Sequence, residues 1–364
     1  MYLEKNCLQE INFMKNKLNP AFDSNVASIV FATDKFYLPY LSVAITSLIA
    51  SSSKDHNYDI VVLYTDIDNK NITKFLNSFH LKENFSLRFL NVTDIFDSMD
   101  VKDFYIEIHV TLATYLRFFI GNLLLKYDKV LYLDCDILIK EDVYNLYTID
   151  LEGHPIGAAS DIREIYHAFK NNNSSGRNWR DYLIDTLGLK DYTSYFQAGV
   201  LLLDLDKFRK KDLQTKLLES LKRIKRPILS DQDILNSVLF NQVKYFQVNW
   251  NLEWQLEFEY PQFRLDMPEK LKQEYIEALK NPKIIHYASP IKPWKNWGDF
   301  YNFSADWWLT ARNTMYYEYF LYEWVCPKQF VKENLIIRVV KLACPQGSKR
   351  RRVLKKIKNM LSNT

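Results

Sequence analysis

Residues Lys129 to Lys140 read Lys-Val-Leu-Tyr-Leu-Asp-Cys-Asp-Ile-Leu-Ile-Lys, so two carboxylates one residue apart, Asp134 and Asp136, interrupt an otherwise apolar strand. Val130 to Leu133 and Ile137 to Ile139 are runs of the kind buried on both faces of a sheet. Unpaired carboxylates in that setting need a cation or a proton. Residues i and i+2 of a strand share a face, so both acids can grip one divalent ion. The alternative is a strand-end turn capped by Asp134, and the apolar flanks on both sides weigh against it. A second pair, Asp204 and Asp206, stands just before Lys207-Phe208-Arg209, where a helix is expected to start, so Asp206 reads as its N-cap. Downstream, His286 and Lys292 supply an imidazole and a cation six residues apart. An imidazole completing a two-carboxylate site favours Mn²⁺ over Mg²⁺, and the lysine can neutralise an anionic leaving group such as a diphosphate. Alone, each has an ordinary reading, a core histidine and a solvated lysine; only their company raises the functional one.

These groups need elements to hold them. Ser28 to Ala32 reads as a strand leading to Thr33-Asp34, and Tyr40 to Ile49 as a helix behind Pro39. Further strands are expected at Tyr58 to Tyr64, Ser86 to Leu90, Gly157 to Ser160, Phe196 to Leu205 and Ile284 to Tyr287. Helices are expected at Lys74 to Phe79, His109 to Leu125, Lys207 to Lys222 and from Ser230-Asp231-Gln232-Asp233 onward. The alternation predicts an α/β chain with a largely parallel sheet and helices on its faces. Ligands of such sheets gather at the carboxyl ends of strands, where Asp34, Asp134, Asp136 and Asp161 all fall. Asn171 to Gly176 reads as a mobile loop over that edge, and Ala198-Gly199 as a place where backbone approaches a ligand closely.

Length and composition suit one large α/β domain with appendages, or two smaller domains, since 364 residues with 48% hydrophobic and 25% charged residues can bury a substantial core. The net charge of +4 hides a split. Residues 328–364 hold eleven Lys/Arg against one Glu, a charge of +10, which leaves −6 for the rest. In that tail Leu335, Ile336, Val339, Val340 and Ala343, then Val353, Leu354, Ile357, Met360 and Leu361, recur at helical spacing around Lys349-Arg350-Arg351-Arg352. Such a basic amphipathic segment predicts an anionic membrane surface as partner. Nucleic acid is disfavoured, because no aromatic residues interleave with the charges. Cys7, Cys135, Cys326 and Cys344 lie far apart, which argues against zinc and disulfide frameworks. The first residues lack a signal-peptide pattern, and the uncharged stretch Phe36 to Ser53 carries Pro39 and six Ser/Thr, so it reads as a core helix, not a membrane span. A cytoplasmic protein, peripheral on the inner face of the cell membrane, is the expectation.

Six segments in order carry a family resemblance: Phe31-Ala32-Thr33-Asp34, Tyr115-Leu116-Arg117, Leu133-Asp134-Cys135-Asp136, Phe196-Gln197-Ala198-Gly199-Val200-Leu201-Leu202, Asp231-Gln232-Asp233-Ile234-Leu235-Asn236, and His286 with Lys292-Pro293-Trp294. Together they resemble the motifs of family 8 retaining glycosyltransferases, with bacterial lipopolysaccharide galactosyl- and glucosyltransferases as the nearest type. The resemblance spans about residues 26 to 310. It implies the GT-A nucleotide-sugar-binding fold, a mixed, mostly parallel Rossmann-like sheet with flanking helices, followed by a C-terminal helical, basic tail. It implies a UDP-hexose donor, UDP-galactose or UDP-glucose, with Mn²⁺ (Mg²⁺ as the alternative), and a glycan or glycolipid acceptor. Residue by residue, it places Asp134, Asp136 and His286 on the metal and Lys292 on the β-phosphate. Ala32 and Asp34 meet the uracil, with Tyr37 stacked on the base and Thr33 beside them in the donor site. Arg117 and Asp161 bind the sugar and diphosphate side, Asp231 the hexose hydroxyls, and Gln232 sits beneath the anomeric carbon. Cys135, Gln197, Ala198, Gly199 and Ser289 complete the donor site. Asp161, Asp231 and Gln232 are the catalytic candidates.

The chain departs from the family at Gln197, where Asn is usual, at Ser289, where Gly is frequent, and at Lys35-Phe36, where an acidic or amide pair is usual. Gln197 bears on sugar specificity. The implied organisation is an extension at 1–25, a catalytic domain at 26–300, an aromatic helical segment at 301–327 and the basic tail at 328–364. Two rivals remain: a non-catalytic sugar-binding scaffold, whose mark would be a lost metal ligand, and a sugar nucleotidyltransferase, which would want a glycine-rich phosphate loop that residues 32–40 lack.

Overall fold

The computed structural model describes residues 18–97, 112–171, 173–174, 177–256, 262–289, 292–295 and 303–325. The basic tail, and with it the expected membrane-binding helix, lies outside them. Among the described residues no helix is long and apolar enough to cross a membrane.

Among the described residues, eleven strands occur in the order β1 (Val26–Thr33), β2 (Asn57–Tyr64), β3 (Phe85–Asn91), β4 (Lys129–Leu133), β5 (Ile137–Ile139), β6 (Ile156–Ser160), β7 (Asn173–Ser174), β8 (Arg177–Asn178), β9 (Phe196–Asp204), β10 (Val243–Phe246) and β11 (Ile284–His286). Seven form one sheet in the order β10-β6-β9-β4-β1-β2-β3. Pairings of β1 with β2 and β4, β2 with β3, and β6 with β10 are parallel, while β9 runs antiparallel between β4 and β6. The carboxyl ends of β1, β4 and β6 and the amino end of β9 therefore meet at one edge.

The sheet is covered on both faces, which explains its near-continuous apolar strands. Alternate residues of β1 serve opposite layers. Val30 packs with Tyr115, Leu116 and Phe118, and Ile29 and Phe31 with Leu41, Ala44, Ile45 and Leu48 of the Leu38–Ser51 helix. That helix starts earlier than Tyr40 because Pro39 fits its first turn, where a backbone N–H has no helical partner to lose. The Asn69–Asn77 helix also begins earlier than expected, with Asp68 accepting from the Asn71 N–H at 2.8 Å.

Three other expectations change. Instead of one helix from His109 to Leu125, the described part is a chain of short turns, Leu112–Tyr115, Leu116–Phe118 and Ile120–Leu123. Every residue from Tyr115 to Gly121 is buried, so no polar face exists along which a long surface helix could run. The expected Lys207 to Lys222 helix splits into Leu205–Lys210 and Leu213–Ile224, because Asp212 takes a left-handed φ of 48° between them. Its N-cap is Asp204, not Asp206: β9 runs through Asp204, whose carboxylate accepts from the Lys207 N–H at 2.8 Å, while Asp206 is in the first turn beside Lys210. Replacing Asp204 with alanine should lower unfolding stability by about 1 kcal/mol, read from the denaturant midpoint, whereas Asp206→Ala should leave the midpoint in place. Finally, the Asn171 to Gly176 region contributes a small hairpin, with Asn173 paired to Asn178 and Ser174 to Arg177.

Two compact units divide the chain, and the sheet with all that attaches to it up to Tyr317 belongs to the first. That unit includes the Ser304–Ala311 helix. In the second, the described residues are 294–295 and the part of the Tyr317–Val325 helix from Glu318 on, which exposes Tyr322 and Val325.

Candidate active site

β4 ends at Leu133, and the chain leaves the main sheet there. Asp134, Cys135 and Asp136 form a bend before β5, which belongs to a separate two-stranded sheet with β11. The two acids are thus not successive same-face residues of one strand, as expected from their spacing. They converge because the bend is held on both sides: the Asp134 N–H donates to the Gly199 carbonyl at 2.8 Å, and the Tyr287 N–H to the Asp136 carbonyl at 2.9 Å. Antiparallel pairing puts His286 opposite Ile137, directly beside Asp136.

His286 Nε2 then lies 3.7 Å from Asp134 Oδ2 and 3.3 Å from Asp136 Oδ1. One ligand atom from each of the three residues falls within 4.8 Å of the others. Ligands at about 2.1 Å from an octahedral ion lie about 3.0 Å apart when adjacent and about 4.2 Å apart when opposite; the 3.3 and 3.7 Å separations of His286 from the two acids fall between these, as a divalent cation site requires. Its N/O donor set suits Mn²⁺. Gly199 makes the fit possible: a Cβ there would stand 2.2 Å from His286 Cε1 and 2.9 Å from Asp134 Oδ2. The His286 ring thus packs against the Gly199 backbone, and Gly199 also lines the cleft described below.

Charges around the triad are balanced. Arg117 is buried, with Nη2 2.9 Å from Asp134 Oδ1 and Nε 2.9 Å from Asp231 Oδ2, and its Nη1 donates to the Ala198 carbonyl. Burial alone would weaken its charge, but the Asp134 and Asp231 carboxylates outweigh it and hold the guanidinium protonated. Its plane also covers the Tyr132 ring at 4.5 Å, and the Tyr132 hydroxyl donates to Asp134 Oδ1 at 2.8 Å. Lys292 Nζ sits 2.6 Å from Asp136 Oδ2 and donates to the Tyr287 carbonyl as well. Against the opposing effect of burial, the Lys292 ammonium holds the Asp136 carboxyl well below the ordinary range.

The first turn of the Ser230–Leu239 helix supplies Asp231, Gln232 and Asp233, all buried, behind a Ser230 with a positive φ of 51°. Burial, only partly offset by Arg117, pushes the Asp231 carboxyl up to about 7. Gln232 bridges two strands, with Oε1 accepting from the Ala198 N–H at 2.9 Å and Nε2 donating to Asp161 Oδ2 at 2.8 Å. Asp161 Oδ1 caps the Ile162–Lys170 helix by accepting from the Glu164 N–H at 2.8 Å. Asp233 turns inward, accepting from the Tyr182 and Tyr195 hydroxyls at 2.7 and 2.6 Å.

The triad, Arg117, Asp161, Asp231 and Gln232 line an open cleft of about 400 Å³. Ala32, Thr33, Asp34, Tyr37, Arg117, Asp134, Cys135, Asp136, Asp161, Gln197, Ala198, Gly199, Asp231, Gln232 and His286 reach it. Ser289 and Lys292 are buried and do not line it, Lys292 touching the site through Asp136. Asp34 Oδ1 is taken by the Phe36 and Tyr37 N–H groups, both at 2.9 Å. Burial raises the Tyr37 hydroxyl and the Cys135 thiol above their usual ranges, and the thiol donates to the Ala32 carbonyl at 3.2 Å, so Cys135 is inert. Gln197 Oε1 accepts from the Gly199 N–H at 2.5 Å and from Asn251 Nδ2 at 2.6 Å.

Sequence reasoning missed Asn251, Glu253, Arg163 and Glu164. The last three line the cleft, where burial and then the neighbouring Asp161 carboxylate push the Glu253 carboxyl well up. For Arg163 and Glu164 the available signal was the predicted Asp161, because a helix cap carries the next turn with it.

Comparison with known proteins matches residues 28–298 to the glycosyl transferase family 8 model. The chain is similar to a lipopolysaccharide 1,3-galactosyltransferase of Salmonella typhimurium, 30% identical over 193 residues, which are 52% of this chain and 51% of that protein. Among solved structures, the bifunctional glycosyltransferase WbbM superposes with a TM-score of 0.73 at 28% identity, over 84% of this chain and 52% of WbbM, so the chain spans about half its length. The galactosyltransferase LgtC, solved with donor and acceptor sugar analogues, superposes with a TM-score of 0.62 at 26% identity, over 79% of this chain and 96% of LgtC. The mostly parallel sheet with flanking helices is the GT-A arrangement of these neighbours.

Proposed function

Because the chain belongs to glycosyl transferase family 8, we propose that it moves galactose or glucose from a UDP-sugar to a hydroxyl of a glycan or glycolipid, with retention and with Mn²⁺. The observation that carries this reading is the Asp134, Asp136 and His286 triad, placed at the strand edge beside Asp34 and Asp231 in one cleft. Those three residues would hold the metal. Ala32, Thr33 and Asp34 would receive the uracil, Tyr37 its face, and Arg117, Asp161, Gln197 to Gly199 and Asp231 the sugar. Bound there, the cation supplies Lewis-acid neutralisation of the departing diphosphate. Lys292, already beside Asp136, adds a second positive charge at the same place.

Retention by double displacement needs a free carboxylate or equivalent on the sugar's far face. Gln232 has its amide oxygen engaged by the Ala198 N–H, and Asp161 uses both oxygens, on the Glu164 N–H and on Gln232. Neither is a ready nucleophile. The favoured course is therefore same-face attack: the sugar–phosphate bond breaks, the acceptor oxygen bonds the anomeric carbon, and its proton passes to the departing phosphate oxygen. One observation keeps double displacement as the second reading: Asp231 lines the cleft, and its buried Oδ2 has an ion pair with Arg117 but no hydrogen bond. A glycosyl adduct trapped on Asp231 would establish it.

UDP release from a panel of UDP-hexoses tests the function. Turnover should appear with UDP-galactose or UDP-glucose, vanish on chelation and return with Mn²⁺. No metal-dependent turnover with any UDP-hexose would leave the scaffold reading in its place.

A further inference from the structure

Gly199 begins a hydrogen-bond relay that ends on His286. A backbone N–H can only donate, so its 2.5 Å contact identifies the oxygen end of the Gln197 amide. Asn251 approaches that same oxygen at 2.6 Å and must present its Nδ2. Its other end, Oδ1, then faces His286 Nδ1 at 2.9 Å. A carbonyl oxygen can only accept, so Nδ1 carries the ring proton. Gln197, Asn251 and His286 are 6%, 2% and 2% exposed, so a flipped amide would find little water to satisfy it.

We propose that Gln197 and Asn251 are positioning residues that lock His286 in the Nδ1–H tautomer and leave the Nε2 lone pair facing Asp134 and Asp136 as a metal ligand. The inference rests on the metal reading proposed above. Its physical content is the removal of a competitor. A neutral imidazole with its proton on Nε2 would donate it to the two carboxylates 3.3 and 3.7 Å away and close the site to a cation. The relay makes that tautomer costly, since Asn251 would have to turn, facing its oxygen to Gln197 Oε1 and leaving two buried acceptors in contact. Partners of this kind orient metal-bound histidines and typically govern affinity. The long-range contacts show why sequence was silent: Asn251 lies 54 residues from Gln197 and 35 from His286.

Two measurements test the relay. Nitrogen-15 NMR of the metal-free protein at pH 9, with His286 assigned by comparison with His286→Gln, should show the proton on Nδ1. Titration of free Mn²⁺ by electron paramagnetic resonance should show Gln197→Met and Asn251→Ala binding about 10- to 100-fold more weakly than wild type, although Gln197 is two hydrogen bonds from the imidazole. In Gln197→Met the Nδ1 proton should be partly lost. A bare Nδ1 in the wild type overturns the proposal whatever the variants do, and so does a folded Gln197→Met that binds Mn²⁺ like wild type with the proton still on Nδ1. If the wild type binds no Mn²⁺, the metal reading fails instead, and the NMR result still judges the tautomer.

Discussion

Asp134→Asn should cut UDP-sugar turnover by about 10³-fold while leaving the melting temperature close to wild type. The side-chain carbonyl can replace Oδ1 and keep both the Tyr132 hydroxyl and Arg117 Nη2 contacts, at 2.8 and 2.9 Å. What is lost is the anionic Oδ2 that faces His286 Nε2; an amide N–H in its place repels a cation. Asp134→Ala should be as inactive and also unstable. It leaves the buried Arg117 with Asp231 as its one remaining carboxylate, and breaking one side of a buried pair costs about 3 kcal/mol. UDP release and thermal melts on the two variants separate the roles. Turnover within tenfold of wild type in either would remove Asp134 from the metal site.

Gly199→Ala should be nearly as damaging, through one methyl group. Its Cβ would lie 2.2 Å from His286 Cε1, 2.8 Å from Nδ1 and 2.9 Å from Asp134 Oδ2. The backbone cannot retreat, since β9 is central and the Gly199 carbonyl holds the Asp134 N–H. The imidazole must move, so Mn²⁺ affinity and turnover should both fall by about 10²-fold, with an overpacking loss of about 1–3 kcal/mol. Gly157→Ala is the control. It crowds Leu151 Cδ2 at 2.8 Å in the same sheet and away from the cleft, so it should cost stability and spare metal affinity. Equal affinities in wild type and Gly199→Ala would show that the His286 ring is not confined there.

Local pattern carried six of the seven strands of the main sheet, missing the short edge strand β10, because a sheet covered on both faces forces apolar runs, and it carried Asp134, Asp136 and His286 as a possible ligand set. It did not carry their geometry. Same-face spacing on one strand suggested the convergence, but the acids meet at a bend between two sheets, and the histidine arrives through the β5–β11 pairing. The cap at the end of β9 went to Asp204 because strand and helix share that residue, a boundary no periodicity marks. Arg117 was legible as part of a motif; its position between Asp134 and Asp231 depends on a chain of short turns where a regular helix was expected. Asn251 left no trace, since Asn249-Trp250-Asn251 has neither spacing nor composition that points to the site.

The β5–β11 pairing also has a consequence for the order of events during synthesis. Asp134 and Asp136 leave the ribosome about 150 residues before His286, a delay of roughly 8 to 30 seconds at about 5–20 residues per second. Through that interval Asp136 lacks the Lys292 ammonium, and both acids lack the imidazole that completes their ligand set. The nascent edge therefore stays electrostatically unfinished until the last strand docks, and any ion captured afterwards fastens the late strand to the early sheet, stabilising the finished chain and not its precursors.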